Sequence, residues 1–152
     1  MLDKKVKISS KITIGLPLSA KELTGLKSKG FQSVVNLCTP GEKGLPLKRE
    51  VEAAKVEELG MEYMHFPVSL SRLTPDMAKD FLTQFQHLPG PVYMHCRIGQ
   101  RSVPFGLLAW GKRNKLGADM VLKRGRELGI GITIPAVDAF LKRCLRTVVA
   151  ES

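Results

Sequence analysis

Four short apolar runs separated by stretches of helical periodicity constrain the fold of this chain more than any other feature. They read KITIG, FQSVVNLC, MEYMHFPV and PVYMH, ending at Gly15, Cys38, Val68 and His95. Runs of four to eight apolar residues bounded by turn signals suit buried strands. The segments between them carry helix punctuation. Ser19 followed three residues later by Glu22 makes a capping box, with Gly30 as the stop. In LKREVEAAKVEELG, Val51, Ala54 and Leu59 are expected to share the buried face, and Gly60 ends the helix. Thr74 caps a third helix with Pro75 at its first position, running to about His87. Three amphipathic stretches, 102–114, 118–128 and 135–149, follow as helices. Alternation of this kind predicts an α/β fold: a mostly parallel central sheet of four or five strands with helices on both faces. No repeat, linker or low-complexity segment interrupts residues 1–152, so one domain is expected.

The composition narrows the class. Apolar residues form 43% and charged residues 25% of the 152, as in ordinary globular proteins. No apolar run approaches the roughly 20 residues needed to cross a bilayer. The start, MLDKKVKISS, lacks the apolar centre of a signal peptide, so no membrane association and a cytoplasmic location are expected. The net charge of +10 fits either solvated helix faces or a surface that draws an anionic partner. Nucleic acid stays open as a partner but is not favoured, since only six Phe, two Tyr and one Trp occur and they are not interleaved with the basic residues. Cys38, Cys96 and Cys144 are too few and too scattered for a disulfide framework or a zinc site. No metal or cofactor is expected, and any special cysteine is reactive rather than structural.

Cys96 is the candidate. It stands at the C-terminal end of the run PVYMH, directly before a helix, where ligands bind in open α/β sheets. In the loop Cys96, Arg97, Ile98, Gly99, Gln100, Arg101, successive backbone amides can curl into an anion nest, reinforced by the N-terminus of the next helix. Such a field lowers a cysteine pKa from about 8.5 to roughly 3.5–7.5 and makes the sulfur nucleophilic at neutral pH. Gly99 permits the tight turn, Arg101 presents a bidentate fork to a tetrahedral oxyanion, and Ser102 donates a hydrogen bond to the sulfur as it leaves. Arg97 is read either as an outward substrate contact or as a solvated loop residue.

HCRIGQRS resembles the signature loop of the cysteine-dependent tyrosine and dual-specificity phosphatases. With GFQSVVNL, MEYMHFPV, LTPDMAKDF and GPVYMHCRIGQRS in this order, residues 12–112 resemble the bacterial beta-lactamase hydrolase-like phosphatase domain family. The resemblance implies a phosphatase-type α/β fold, with Cys96 as nucleophile, Arg101 as the oxyanion-binding arginine and the amides of residues 97–101 as the cradle. Some members of that family are described as sulfurtransferases. Two departures from the phosphatase pattern bear on this choice. Four residues rather than five separate Cys96 from Arg101, which resembles the rhodanese loop that holds a persulfide. The loop where phosphatases carry an acidic residue reads Ser69, Leu70, Ser71, Arg72, none of which donates a proton at neutral pH. Asp76 is the nearest carboxylate, and its place as second residue of a capped helix also suits the helix dipole.

The leading expectation is therefore a cysteine-dependent phosphatase-like hydrolase acting on a phosphorylated or other anionic substrate. The alternatives are sulfur transfer through a Cys96 persulfide and a non-catalytic anion-binding module. Two further residues are candidate supports. His95 can bond loop backbone and hold its shape, and Cys38, ending the neighbouring strand, can trap an oxidised Cys96 as a disulfide. Cys144 reads as core, Gly15 and Pro17 as a turn that could border the site, and His65 and His87 lack a pattern that suggests metal.

Overall fold

The computed structural model describes residues 2–146. Five strands form one sheet in the order β1 (Val6–Ser9), β2 (Ile12–Gly15), β5 (Val92–His95), β3 (Ser33–Asn36), β4 (Glu62–His65). The last four are mutually parallel, and β1 alone runs antiparallel, against β2. The α/β class expected from the sequence is the fold observed. Strand β1 is an addition: the basic start of the chain reads as a charged segment, yet Val6 and Ile8 are buried while Lys7 between them is exposed. That period of two is a strand signal masked by four neighbouring lysines.

The strands alternate between two apolar layers. Val35, Met94, Ile12 and Ile14 face one way, against α3 (Pro75–Phe85), α4 (Ser102–Asn114), α5 (Ala118–Glu127) and α6 (Pro135–Cys144). Val34 and Tyr93 face the other way, against α1 (Ala20–Ser28) and α2 (Arg49–Glu58). Helix α4 matters most, because its first residue follows the Cys96 loop. Phe105, Leu107 and Leu108 are fully buried, and Phe105 stacks edge-on against Phe81 with centroids 4.9 Å apart. Each such side chain contributes roughly 1.5–3 kcal/mol. Gly106 lets the helix approach the sheet, since a Cβ there would lie 2.7 Å from Ile14 Cγ2. The loop is thus strung between a central strand and a firmly seated helix.

The expected caps are present. Ser19 and Glu22 make the reciprocal capping box, and the Thr74 hydroxyl accepts from the Met77 amide with Pro75 opening α3. The face of α2 differs from expectation: Val51 is 51% exposed and Ala54 is exposed, whereas Glu52 and Val56 are buried and Leu59 packs partly beside them. Glu52 turns inward because polar partners wait on three strands. Helix α6 ends at Cys144, and the part of its expected extent from residue 147 to 149 lies outside the described residues.

Candidate active site

Strand β5 lies between β2 and β3 and delivers Cys96 to the C-terminal edge of the sheet. Beyond it, Gly99 adopts φ +100°, a left-handed conformation that favours glycine, and the chain turns back into α4 at Ser102. A Cβ on Gly99 would also lie 2.7 Å from Leu2 Cβ, because the N-terminal segment packs on the loop and the Leu2 amide donates to the Ile98 carbonyl at 2.9 Å. The turn wraps Cys96 Sγ. The Gly99 and Ser102 amides donate to the sulfur at 3.1 and 3.4 Å, and Ser102 Oγ lies 3.6 Å from it.

These contacts set the state of the thiol. Burial opposes ionisation of Cys96, but hydrogen bonds from the Ser102 side chain and amide and from the Arg101 amide, with the Arg101 charge, outweigh it and hold the pKa below the usual thiol value. The other two thiols move the opposite way. Burial, then the Glu42 carboxylate, pushes Cys38 up to about 12, and burial pushes Cys144 up to about 11.

Arg101 does not stand free over the loop. Its Nη1 and Nη2 donate to the two carboxylate oxygens of Glu42 at 2.9 and 2.7 Å, and Nη1 also reaches the carbonyls of Leu37 and Val68. The Arg101 guanidinium, with the Thr39 amide, lowers the Glu42 pKa to about 2. Glu42 belongs to the segment after β3, which sequence reading passes over as a turn. The available signal is topological: β3 borders β5, so the segment leaving its end must flank the Cys96 loop.

A cleft of about 410 Å³ opens at this edge, lined among others by Glu42, Lys43, Ser69, Arg97, Ile98 and Arg101. Gln100 also lines it, and Arg97 leans across it toward Gly44. An adjoining cleft of about 720 Å³ adds Lys48, Arg49 and His65. A groove of about 200 Å³ lies behind the loop, between Leu2 and Ile132, and the fully buried Cys96 lines none of these three clefts. Asp76 is exposed in the first turn of α3 and lines none of these. Leu70–Arg72 form a short 3-10 turn, and Ser69 just before it pairs its hydroxyl with that of Ser71. Glu42 is therefore the carboxylate at the mouth, and it is ionised at neutral pH.

Cys38 lies beside the site: the Leu37 amide donates to the His95 carbonyl, and the two sulfurs lie within electrostatic reach. His65 Nε2 hydrogen-bonds the Cys38 carbonyl at 2.7 Å. Gly15 ends β2, where any side chain would overlap the Tyr93 hydroxyl, which donates to the Leu16 carbonyl. Among the described residues no group of three or more His, Cys, Asp or Glu could hold a metal, and no helix is long and apolar enough to cross a membrane.

Known proteins share this architecture. PTPMT1 in complex with PI(5)P has a TM-score of 0.78 at 14% identity, over 98% of this chain and 99% of that one. The core catalytic domain of the PP-IP phosphatase SIW14 from S. cerevisiae has a TM-score of 0.74 at 12% identity, over 99% and 90%. These likenesses concern the fold. In sequence, a beta-lactamase hydrolase-like protein of Agrobacterium fabrum is 30% identical over 106 residues, 69% of this chain and 24% of that protein. The chain spans less than a third of the length of the curated relatives it matches. The model of the phosphatase-like domain of beta-lactamase hydrolase-like proteins matches residues 7–111, and the chain belongs to that family.

Proposed function

We propose that this chain is a cysteine-dependent phosphatase-like hydrolase in which Cys96 is the nucleophile. The observation that carries the reading is the convergence of two backbone amides and the Ser102 hydroxyl on Cys96 Sγ, which favours the thiolate despite burial. Fold likeness and family membership support a phosphatase.

In this reading the thiolate attacks phosphorus, an S–P bond forms, the ester P–O bond breaks, and the leaving oxygen takes both electrons. Water then attacks phosphorus, releases phosphate and returns the electron pair to sulfur, where Ser102 stabilises it. The amides of residues 97–101 that do not face the sulfur hold the equatorial oxygens. A guanidinium has five N–H donors. Glu42 takes the Nη1/Nη2 end of Arg101, and the Nε/Nη2 edge remains for the phosphoryl group, so Glu42 orients the arginine rather than replacing the substrate. Lys43 and Arg97 at the mouth favour an anionic substrate. With Glu42 ionised and no acid at residues 69–72, substrates whose leaving group departs unprotonated, such as aryl phosphates or anhydrides, are turned over best.

The four-residue spacing and the missing acid favour a second reading, sulfur transfer through a Cys96 persulfide. Inserting a glycine after Gly99 separates the two. A loop built for one sulfane sulfur loses thiosulfate-to-acceptor transfer and gains phosphatase activity on insertion. A compact phosphatase loop loses phosphatase activity, with no persulfide detectable before or after. The comparison is kcat/KM for both substrates in native and inserted proteins, with Cys96→Ser as the blank.

A further inference from the structure

Glu52 is an unusual tenant of the apolar interior. It is 3% exposed on the inner face of α2, where an aliphatic residue would pack without desolvating a charge. Its carboxylate is instead fully engaged from three strands. Tyr63 Oη of β4 donates to Oε1 at 2.6 Å, Asn36 Nδ2 of β3 donates to the same oxygen at 2.8 Å, and His95 Nε2 of β5 lies 2.6 Å from Oε2. The other ring nitrogen of His95 lies 3.2 Å from the Cys96 carbonyl. Both ring nitrogens face oxygen atoms, one on each side of the imidazole. Asn36 extends the same network to the neighbouring segment, its Oδ1 accepting from the Cys38 amide at 2.8 Å and its Nδ2 also reaching Tyr63 Oη at 3.0 Å.

We propose that Glu52 is a positioning residue for the Cys96 thiolate, acting through His95, which it clamps to the carbonyl of the nucleophile. The carboxylate fixes the ring, the ring fixes the Cys96 peptide, and that peptide aims the sulfur at the Gly99 and Ser102 amides. Burial opposes ionisation of Glu52, and the bond from His95 with its charge, then those from Tyr63 and Asn36, hold its pKa below the usual carboxylate value. The groups facing the network are Tyr63 on β4, Asn36 on β3, Tyr93 on β5 with its ring 6.4 Å from that of His95, Arg49 on α2, and the Cys38 thiol.

The proposal rests on reading Cys96 as the nucleophile, and its test does not need substrate turnover. The rate of Cys96 alkylation is followed against pH in native protein, Glu52→Gln, His95→Asn and the double variant, with circular dichroism confirming each fold. Glu52→Gln keeps the shape and removes the charge, and the alkylation midpoint rises by about one pH unit. In the His95→Asn background the same change adds nothing, because the link has already been cut. An unmoved midpoint in folded Glu52→Gln, or an equal shift with and without His95, overturns the proposal. If Glu52→Gln does not fold, the proton spectrum of the native protein decides: a slowly exchanging, strongly downfield proton on His95 Nε2 is expected from the 2.6 Å contact, and its absence refutes the clamp. Where an aryl phosphate is turned over, Glu52→Gln lowers kcat below the new midpoint with little change in KM. A native midpoint near 8.5 contradicts the nucleophile reading itself and is distinguishable from every outcome above.

Discussion

Replacing Glu42 with Gln tests whether the Arg101 pair is a structural and functional unit. The carboxylate accepts two charge-assisted bonds from Arg101 and two more from the Thr39 amide and hydroxyl at 3.1 Å. Side-chain exposure of 11% for Arg101 and 15% for Glu42 puts the pair between a solvated and a buried ion pair. Breaking a buried pair costs about 3–5 kcal/mol and an exposed one about 0–1, so about 2–3 kcal/mol is expected at pH 7. For a chain of this size that lowers Tm by roughly 4–12 °C. The pH dependence carries the sign. The Glu42 pKa is depressed to about 2 in the folded state, so its contribution is complete above the ordinary carboxylate value and is lost as pH falls through about 2. Urea titrations of native protein and Glu42→Gln should differ by a constant amount from pH 7 down to about pH 5 and converge below it. With the guanidinium no longer held, kcat/KM for an aryl phosphate should drop about tenfold or more. A variant as stable as the native protein at pH 7, or a difference that persists undiminished into acid, would show that the pair does not hold the loop.

Other outcomes follow from the same geometry. Iodoacetamide at neutral pH should modify Cys96 before Cys38 or Cys144, because Cys96 alone has a lowered pKa while the other two are pushed to about 12 and 11; prior labelling of either neighbour contradicts the thiolate assignment. Asp76→Asn should leave turnover of an activated ester nearly unchanged, and a loss of about a hundredfold with its acid limb would mean that Asp76 reaches the leaving group. Peroxide oxidises Cys96 to a sulfenate, which Cys38 can displace as a thiolate with loss of water to give a disulfide. Since the raised Cys38 pKa leaves little thiolate at neutral pH, that bond should form slowly at pH 7 and faster with rising pH; rapid closure at pH 7, reversed by dithiothreitol, would count against the assigned pKa.

The legible parts of this molecule are those written in contiguous residues. Ser19 with Glu22, Thr74 with Pro75, and the apolar runs that become β2 to β5 each carry their own instruction, and so does the loop from Cys96 to Ser102. What escaped is information held between segments. Glu42 looks like a turn residue until β3 is placed beside β5. Glu52 looks like a solvated acid in an acidic helix, and only its spacing of four and seven from Val56 and Leu59 hints that it shares their inward face. The apolar face expected through Val51 failed for the same reason, since hydrogen bonds to Asn36, Tyr63 and His95 outweigh the burial of one valine. Strand β1 escaped because alternation over four residues is weak evidence among so many lysines.

The most direct test of the central claim is the covalent state of Cys96 during turnover. Native protein is mixed with an aryl phosphate, quenched within the first turnover and digested, and the Cys96 peptide is weighed, with Cys96→Ser and a thiosulfate-treated sample alongside. A phosphoryl group on Cys96 that appears and decays at rates matching phosphate release is the predicted result. A Cys96 peptide that never carries phosphoryl while phosphate is released, or one that gains only sulfur from thiosulfate and shows no phosphatase activity, would contradict it.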